Sequence, residues 1–158
     1  TTFCLIPMIK KVTNLPLIAA GGIFSKESFH AAIVLGAEGV QVGTRFALSK
    51  ESSAHEDFKN KCRNLHEGET RLLLKKISPT RLVMNEFGLA VKSSEDQGAD
   101  ADYLKDLLGK GRAKKGIFEG DLIEGELEIG QIAGFNNKEE TVEEIFNDLV
   151  SDLSFIDL

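Results

Sequence analysis

Residues 16–46 read PLIAAGGIFSKESFHAAIVLGAEGVQVGTRF and contain the most regular pattern in the chain. Residues 17–20 form a continuous apolar run, and Gly21 and Gly22 end it. Such a run is typical of a parallel strand that is buried on both faces. Parallel strands in turn require a crossover connection, which is usually a helix.

A helix and a second strand follow at once. Ser25 is the predicted N-cap of the helix, which ends at Gly36. Residues 39–42 indicate the second strand, and Gly43 and Thr44 end it. This succession of strand, helix and strand predicts a βαβ unit.

Each glycine turn comes directly after a strand, so a βαβ unit places both turns at one edge of the sheet. Glycine lets backbone N–H groups approach an anion closely, and (β/α)₈ barrels commonly hold a phosphate after strands seven and eight. The plainer alternative is that the glycines only allow tight turns. We predict a phosphate site formed by the N–H groups of five residues, with the Thr44 hydroxyl as a further donor: Gly21, Gly22, Ile23, Gly43 and Thr44.

Apolar spacing predicts further elements outside this segment. Helices are expected over residues 5–14, 50–64, 83–89, 102–108, 120–135 and 138–153, and a strand over 71–74. Several of the predicted helices have a stripe of apolar residues expected to face the core. These residues are Leu5, Ile6, Ile9 and Val12 in helix 5–14, Phe29, Ala32 and Ile33 in the helix after Ser25, and Ala54, Phe58 and Cys62 in helix 50–64. In the last helix they are Val142, Ile145, Phe146, Leu149, Val150 and Leu153. The polar residues 93–102 suggest an exposed connection.

The composition narrows the function classes. The 158 residues are 42% hydrophobic, enough for an ordinary core, and the net charge of −6 argues against a nucleic-acid partner. Cys4 and Cys62 lack metal-ligand spacing, so neither a metal site nor a disulfide framework is expected. No apolar run is long enough for a membrane span, which favours a cytoplasmic protein. The start at Thr1 without methionine suggests a fragment of a longer chain.

The same residues carry a family resemblance. The succession AAGGI, an alanine-rich helix ending in LGAEGVQ, and then GTRF closely resembles the flavin-binding segment of two related enzyme groups. These are the nitronate monooxygenases and the flavin-dependent enoyl-acyl carrier protein reductases, which share a fold. The resemblance continues to Lys59 and, more loosely, through Gly120-Asp121 and residues 130–134.

The resemblance implies an α/β fold that is the C-terminal portion of a (β/α)₈ TIM barrel with a small inserted lid region. Residues 1–65 would form the last two βα units with the FMN phosphate site, 66–119 the insertion or lid, and 120–158 C-terminal helices that pack on the barrel. FMN would be bound by its phosphate at Gly22, Gln41, Gly43 and Thr44, with Gly21 and Ile23 completing the first turn.

The resemblance also bears on the polar side chains. The catalytic histidine of the family is expected upstream of residue 1, so that His30, His55 and His66 are interpreted as surface or packing residues. Arg81 would match the second arginine of a Gly-Arg-Pro-Ala-Arg-like turn. Arg45 would either supply charge near the phosphate or pair with a carboxylate, and Gln131 would either face the pocket or pack within a helix.

The implied function is an FMN-dependent oxidoreductase, foremost a nitronate monooxygenase that oxidises alkyl nitronates with oxygen. The alternative is an NAD(P)H-dependent enoyl-acyl carrier protein reductase. An inosine monophosphate dehydrogenase-like barrel would need a catalytic cysteine loop, and neither Cys4 nor Cys62 lies in one. An inactive fragment that retains only the phosphate-binding part is a further alternative, and a homodimer is left open.

Overall fold

The computed structural model describes residues 1–135 and 137–151. The chain divides into two compact units: unit 1 contains residues 1–51 and the C-terminal segment from residue 139, and unit 2 is Ser52–Lys138. These boundaries do not coincide with the predicted segments 1–65, 66–119 and 120–158, whose roles as barrel, lid and packing helices stay predictions. No helix in the described residues is both long and apolar enough to cross a bilayer.

Helices and strands alternate from Thr2 to Ala47, and the following part of the chain has two successive strands between helices. In order they are α1 (Thr2–Lys10), β1 (Ile18–Ala20), α2 (Lys26–Val34), β2 (Gly39–Gln41), α3 (Thr44–Ala47), α4 (Glu56–Arg63), β3 (Thr70–Leu73), β4 (Thr80–Val83), α5 (Glu86–Asp96), α6 (Ala101–Leu108) and α7 (Val142–Val150). A π-helical turn spans Lys114–Phe118, and a 3₁₀ turn spans Ala133–Phe135.

The predicted βαβ unit is confirmed in unit 1. Strands β1 and β2 pair in parallel, with Ile18 opposite Gly39 and Ala20 opposite Gln41, and α2 connects them. Among the described residues this sheet has two strands. Ala19 is therefore buried while Ile18 is 55% exposed, and the expectation of a strand buried on both faces is wrong for this chain.

The start of α2 is fixed by a capping box. The Ser25 hydroxyl accepts a hydrogen bond from the Ser28 N–H, and the Ser28 hydroxyl accepts one from the Ser25 N–H. This reciprocal arrangement satisfies two backbone donors at the helix start, so the predicted N-cap is confirmed. Only part of the predicted stripe is buried: Ala32 is buried, whereas Phe29 and Ile33 are half-buried.

Two predicted helices in unit 1 need correction. Helix α1 begins at Thr2 and ends at Lys10, rather than spanning 5–14, and Ile6 is the member of its predicted stripe that is buried. The last helix is shorter than the predicted 138–153, because Thr141 and Glu144 form a capping box that starts it at Val142. It packs through Ile145 and Leu149, whereas Val142 and Phe146 are exposed and Leu153 lies outside the described residues.

The helix predicted from residue 50 begins later than expected. His55 is the N-cap of α4, and its Nδ1 accepts a hydrogen bond from the Asp57 N–H at 3.2 Å. The predicted stripe of Ala54, Phe58 and Cys62 is buried, as the spacing indicated. Ser49, the residue before the predicted start of this helix, is of a type that often caps helices. In the structure it is instead a buried residue just beyond α3.

Residues 70–108 of unit 2 form an antiparallel hairpin followed by two helices. Strand β3 confirms the predicted strand near residues 71–74, and α6 confirms the helix near 102–108. The helix predicted over 83–89 is confirmed in part, since α5 spans Glu86–Asp96, and the exposed connection predicted over 93–102 is wrong for residues 93–96 but confirmed for residues 97–100 between α5 and α6. Asn85 starts this helix: its side-chain oxygen accepts from the Gly88 N–H at 3.0 Å.

Residues 120–135 do not form the predicted helix. Glu128 makes a bridge with Leu82 of β4, and Asp121 closes a turn by accepting hydrogen bonds from the N–H groups of Ile123 and Glu124. The Lys115 ammonium and these N–H groups lower the pKa of Asp121 to about 2. Gly125 permits close approach within this backbone segment, since a Cβ on Gly125 would lie 2.3 Å from the Asp121 carbonyl oxygen.

The two cysteines should differ sharply in thiol reactivity. Cys62 is fully buried, and burial raises the pKa of its thiol to about 12, whereas Cys4 is exposed. Because the thiolate is the reactive form, a thiol reagent should modify one cysteine rapidly and the second only after unfolding. Mass mapping after brief treatment with dithionitrobenzoate should find label on Cys4. Equal labelling of Cys62 in the native protein would contradict the described packing of α4.

Candidate functional site

Two glycine turns lie at one edge of the parallel sheet in unit 1. Strand β1 ends at Ala20 and continues into Gly21 and Gly22, and β2 ends at Gln41, two residues before Gly43. Ala20 and Gln41 are opposite each other in the ladder. The carboxyl ends of both strands therefore deliver both turns to one place, as the sequence predicted.

The first turn has a backbone conformation that favours glycine. Gly21 has φ 97° and Gly22 has φ 77°, a region that residues with a Cβ rarely adopt. The Thr2 hydroxyl, in the first turn of α1, donates a hydrogen bond to the Gly21 carbonyl oxygen at 2.9 Å. This contact was not predicted, since nothing in the sequence pairs Thr2 with a turn 19 residues away.

The backbone donors of the two turns are open to a ligand. Within the described part of the chain, the N–H groups of Gly21, Gly22, Ile23 and Gly43 donate no hydrogen bond. A Cβ built on Gly22 or Gly43 would meet nothing within 4 Å, so the space beside both glycines is open as well. Unpaired N–H groups beside open space fit the requirement of a phosphate, which needs several donors at close range.

Two polar residues of the predicted site flank the second turn. Gln41 is exposed at the end of β2, and Thr44 is the half-buried first residue of α3. Both lie in the same short segment as Gly43. The structure thus brings the predicted residues to one sheet edge, while their binding of a phosphate stays a prediction.

Arg45 belongs to the framework of the site. Its side chain is 8% exposed and forms a two-point ion pair with Glu140, at 3.0 Å from Nε to Oε2 and 2.6 Å from Nη2 to Oε1. Its Nη1 also donates to Asp148 at 2.6 Å and to the Phe24 carbonyl oxygen at 2.8 Å. Of the two alternatives for Arg45, carboxylate pairing is confirmed.

These contacts make Arg45 a permanent cation. The hydrogen bonds that Arg45 donates to Glu140, and then the one to Asp148, raise the pKa of Arg45 above its ordinary value although burial opposes the charge. Glu140 and Asp148 were not predicted as partners. The available signal was weak: an acidic pair before the last helix and an acidic residue on that helix, with no spacing that relates them to Arg45.

The three histidines have packing or surface positions, as the sequence indicated. His30 lies on α2 with its ring at an edge-to-face angle to Phe29. His55 caps α4, and His66 is exposed in unit 2. The catalytic histidine expected upstream of residue 1 stays a prediction.

Arg81 and Gln131 belong to unit 2, where both line a cavity of about 540 Å³. Arg81 lies on β4. Gln131 is exposed in a turn, so the expectation that it packs within a helix is wrong. The segment around it is held by close backbone approach instead: a Cβ on Gly134 would lie 2.0 Å from the Leu65 carbonyl oxygen.

Comparison with known proteins identifies the family. The sequence profile described as nitronate monooxygenase matches residues 1–152. The chain belongs to the nitronate monooxygenase family. A relative named probable nitronate monooxygenase, from Staphylococcus saprophyticus, is 36% identical over 120 residues, which cover 73% of this chain and 34% of the relative. A Staphylococcus aureus relative of the same name is 46% identical over 69 residues, covering 44% of this chain and 19% of the relative.

Solved structures agree with the family match. The chain is similar to FabK from Thermotoga maritima, with a TM-score of 0.88 and 32% identity over 98% of this chain and 49% of FabK. It is also similar to a nitroalkane oxidase from Streptomyces ansochromogenes, with a TM-score of 0.73 and 25% identity over 98% of this chain and 45% of the oxidase. The chain therefore spans about a third of the Staphylococcus saprophyticus relative and nearly half of each of these two solved structures.

Removal of the Arg45 guanidinium should destabilise the protein. Arg45→Met removes the two-point ion pair with Glu140, which is only 15% exposed, and the ion pair with Asp148, and this loss should lower the free energy of unfolding by about 3 kcal/mol. The matched control is Lys10→Met, since Lys10 pairs with Glu38 at the surface and its loss should cost less than about 1 kcal/mol. Urea unfolding measures both. Equal, small changes in the two variants would show that Arg45 does not hold the unit together.

Proposed function

We propose that the two glycine turns of unit 1 hold the phosphate of FMN in an oxidoreductase that oxidises alkyl nitronates with oxygen. The observation that carries the proposal is the set of N–H groups without an acceptor among the described residues, at one sheet edge of a nitronate monooxygenase family chain. When bound, FMN would supply the redox chemistry, taking electrons from the substrate and passing them to oxygen.

The residues of the chain would bind and orient the cofactor. Gly21, Gly22 and Ile23 would offer N–H groups from the first turn, and Gly43 and Thr44 would do so from the second. Gln41 would add a side-chain amide donor from the end of β2. The positive φ values of Gly21 and Gly22 favour glycine, so no side chain fills the space in which the phosphate would lie.

No residue of this chain is proposed as a catalytic group. His55 caps α4, His30 packs against Phe29, and His66 is exposed in a connection outside the helices and strands. Cys62 is buried with its thiol protonated, and Cys4 lies on helix α1, so the catalytic cysteine loop of an inosine monophosphate dehydrogenase-like enzyme has no candidate here. The chain would thus contribute cofactor binding, with a nitronate as the small-molecule substrate.

Reduction of an enoyl thioester with NAD(P)H is the second candidate function. The sequence resemblance left it open, and the backbone similarity does not single out oxidase chemistry, because the TM-score to FabK exceeds that to the nitroalkane oxidase. Both candidate functions use the same phosphate site. A cytoplasmic location and a homodimer stay predictions.

A side chain at Gly43 should prevent FMN retention. Gly43 has φ −93° and open space beside it, so valine can be accommodated by the backbone but would fill the space that the phosphate needs. The full-length protein carrying Gly43→Val should lose at least about a hundredfold in FMN affinity, the equivalent of two charge-assisted hydrogen bonds. Flavin absorbance near roughly 370 and 450 nm after purification measures FMN retention, and a fluorescence titration with FMN measures the affinity.

Gly39→Ala is the control for this substitution. Gly39 lies on the same strand as Gln41, and the nearest atom to its added Cβ is the flexible end of Ile18 at 3.0 Å. This variant should retain FMN. Unchanged FMN affinity in Gly43→Val would refute the placement of the phosphate, and absence of flavin from the wild-type protein would leave the inactive-fragment alternative.

The two candidate activities are separated by their electron donors. Oxygen uptake that a nitronate drives without NADH supports the monooxygenase, because the nitronate itself then reduces the flavin. Rapid anaerobic bleaching of the flavin by NADH, together with no nitronate-driven oxygen uptake, would overturn that assignment in favour of the reductase. Stopped-flow absorbance and an oxygen electrode record the two signals on the full-length protein.

A further inference from the structure

Unit 2 contains a cavity whose lining residues are not part of the proposed FMN phosphate site. Its volume of about 540 Å³ lies within the range of roughly 300–1,000 Å³ that small-molecule sites occupy. It is open to solvent on one side and is lined by the turn around residues 65–68, by the hairpin strands β3 and β4, and by residues 131–135. All of these belong to unit 2, so the cavity is formed within one compact body.

The arginines of the chain divide into two groups. Of the five arginines, Arg45, Arg63 and Arg112 each form an ion pair with a carboxylate: Glu140 and Asp148 for the first, Glu56 for the second and Glu124 for the third. Arg71 and Arg81 form no ion pair with any residue in 1–135 or 137–151, although the chain carries a net charge of −6. Both of these unpaired arginines line the cavity.

Arg71 and Arg81 start on opposite faces of the hairpin, because successive side chains of a strand alternate between its two faces. Arg81 on β4 lies directly opposite Leu72 on β3, and Arg71 is the residue before Leu72. Arg71 extends over the adjoining turn, with its Nη1 3.9 Å from the position that a Cβ on Gly68 would take. Gly68 also lines the cavity, so the Arg71 guanidinium lies beside a turn that forms part of the cavity wall.

Arg81 is held in position before any ligand arrives. Its Nη1 donates to the Thr70 hydroxyl at 3.1 Å and to the Thr70 carbonyl oxygen at 3.3 Å, and Thr70 is itself 7% exposed. The Nε and Nη2 groups of Arg81 donate to no described residue. The Arg71 side chain donates no hydrogen bond to any residue in the described part of the chain, which leaves its guanidinium available.

The remaining lining residues define the ligand class. Glu67 offsets one of the two positive charges, and Leu65, Leu72 and Phe135 provide apolar wall, with Phe135 73% exposed. Guanidinium forks match the oxygen geometry of phosphates, and an exposed aromatic ring offers a face for stacking. A cavity of this size also exceeds what an inorganic ion needs.

We propose that the cavity binds a phosphorylated small molecule with an apolar or aromatic body, and that Arg71 and Arg81 hold its phosphate. The body of the ligand lies against Phe135. This is a second anion site, formed by side chains of unit 2, and it is independent of the glycine turns in unit 1.

The test is isothermal titration calorimetry of the full-length protein, saturated with FMN, against four probes. AMP carries both a phosphate and an aromatic body, ribose 5-phosphate lacks the aromatic body, adenosine lacks the phosphate, and inorganic phosphate is the bare anion. AMP should bind tightest, with an affinity that falls as salt is added because the contact is ionic. AMP binding no tighter than that of adenosine or inorganic phosphate would overturn the proposal.

Variants assign the binding to the cavity. Arg71→Gln and Arg81→Gln should each weaken AMP binding at least about tenfold, and Arg81→Lys should also weaken it because the planar fork is lost. Lys105→Gln is the control: it removes the same charge from unit 2, at a residue paired with Asp102 on α6. Arg71 is exposed, so its substitution leaves the fold intact. AMP affinity unchanged in Arg71→Gln would refute the site.

The same titration on Gly43→Val separates this proposal from the flavin proposal. That variant blocks the glycine turns but leaves the cavity unaltered. AMP binding that persists there supports the cavity even if FMN binding to the turns fails. AMP binding that disappears in Gly43→Val and persists in both arginine variants would place the phosphate at the turns and overturn the cavity assignment.

Discussion

The buried guanidinium of Arg45 is the constraint on which the architecture of unit 1 depends. Burying a charge is costly unless each of its donors is satisfied, and Arg45 satisfies them with the Phe24 carbonyl oxygen, Glu140 and Asp148. Phe24 immediately follows the first glycine turn, and Arg45 itself follows the second. One side chain thus connects the segments that follow the two turns and attaches them to α7, which explains how a sheet with two described strands can hold both turns at one edge.

The sequence predicted correctly those helices and strands whose boundaries depend on residues close to them in the chain. The βαβ unit follows from an apolar run, a Ser25 cap and glycines after each strand, all within residues 16–46. Residues 120–135 were assigned wrongly because their glycines serve contacts with distant backbone, such as that of Gly134 with Leu65. Residues 93–96 were assigned wrongly because polar composition outweighed the capping signal of Asn85.

The parts of the candidate site that depend on neighbouring residues could also be predicted from the sequence, whereas its long-range contacts could not. Gly21, Gly22, Gly43 and Thr44 were found because backbone donors after parallel strands require glycine, which the sequence shows directly. The partners of Arg45 could not be found, because Glu140 and Asp148 are about a hundred residues away in sequence and their choice depends on how α7 docks. The cavity in unit 2 was missed for the same reason, since the residues that line it are spread in sequence from Leu65 to Phe135.

The central claim is that the glycine turns recognise a phosphate, and a comparison of FMN with riboflavin tests it most directly. Riboflavin has the same ring and ribityl chain but lacks the phosphate, so the difference in dissociation constants isolates the contribution of the turns. The account predicts that the full-length protein binds FMN at least about a hundredfold more tightly than riboflavin, because several charge-assisted hydrogen bonds are lost with the phosphate. Equal affinity for the two flavins would contradict it.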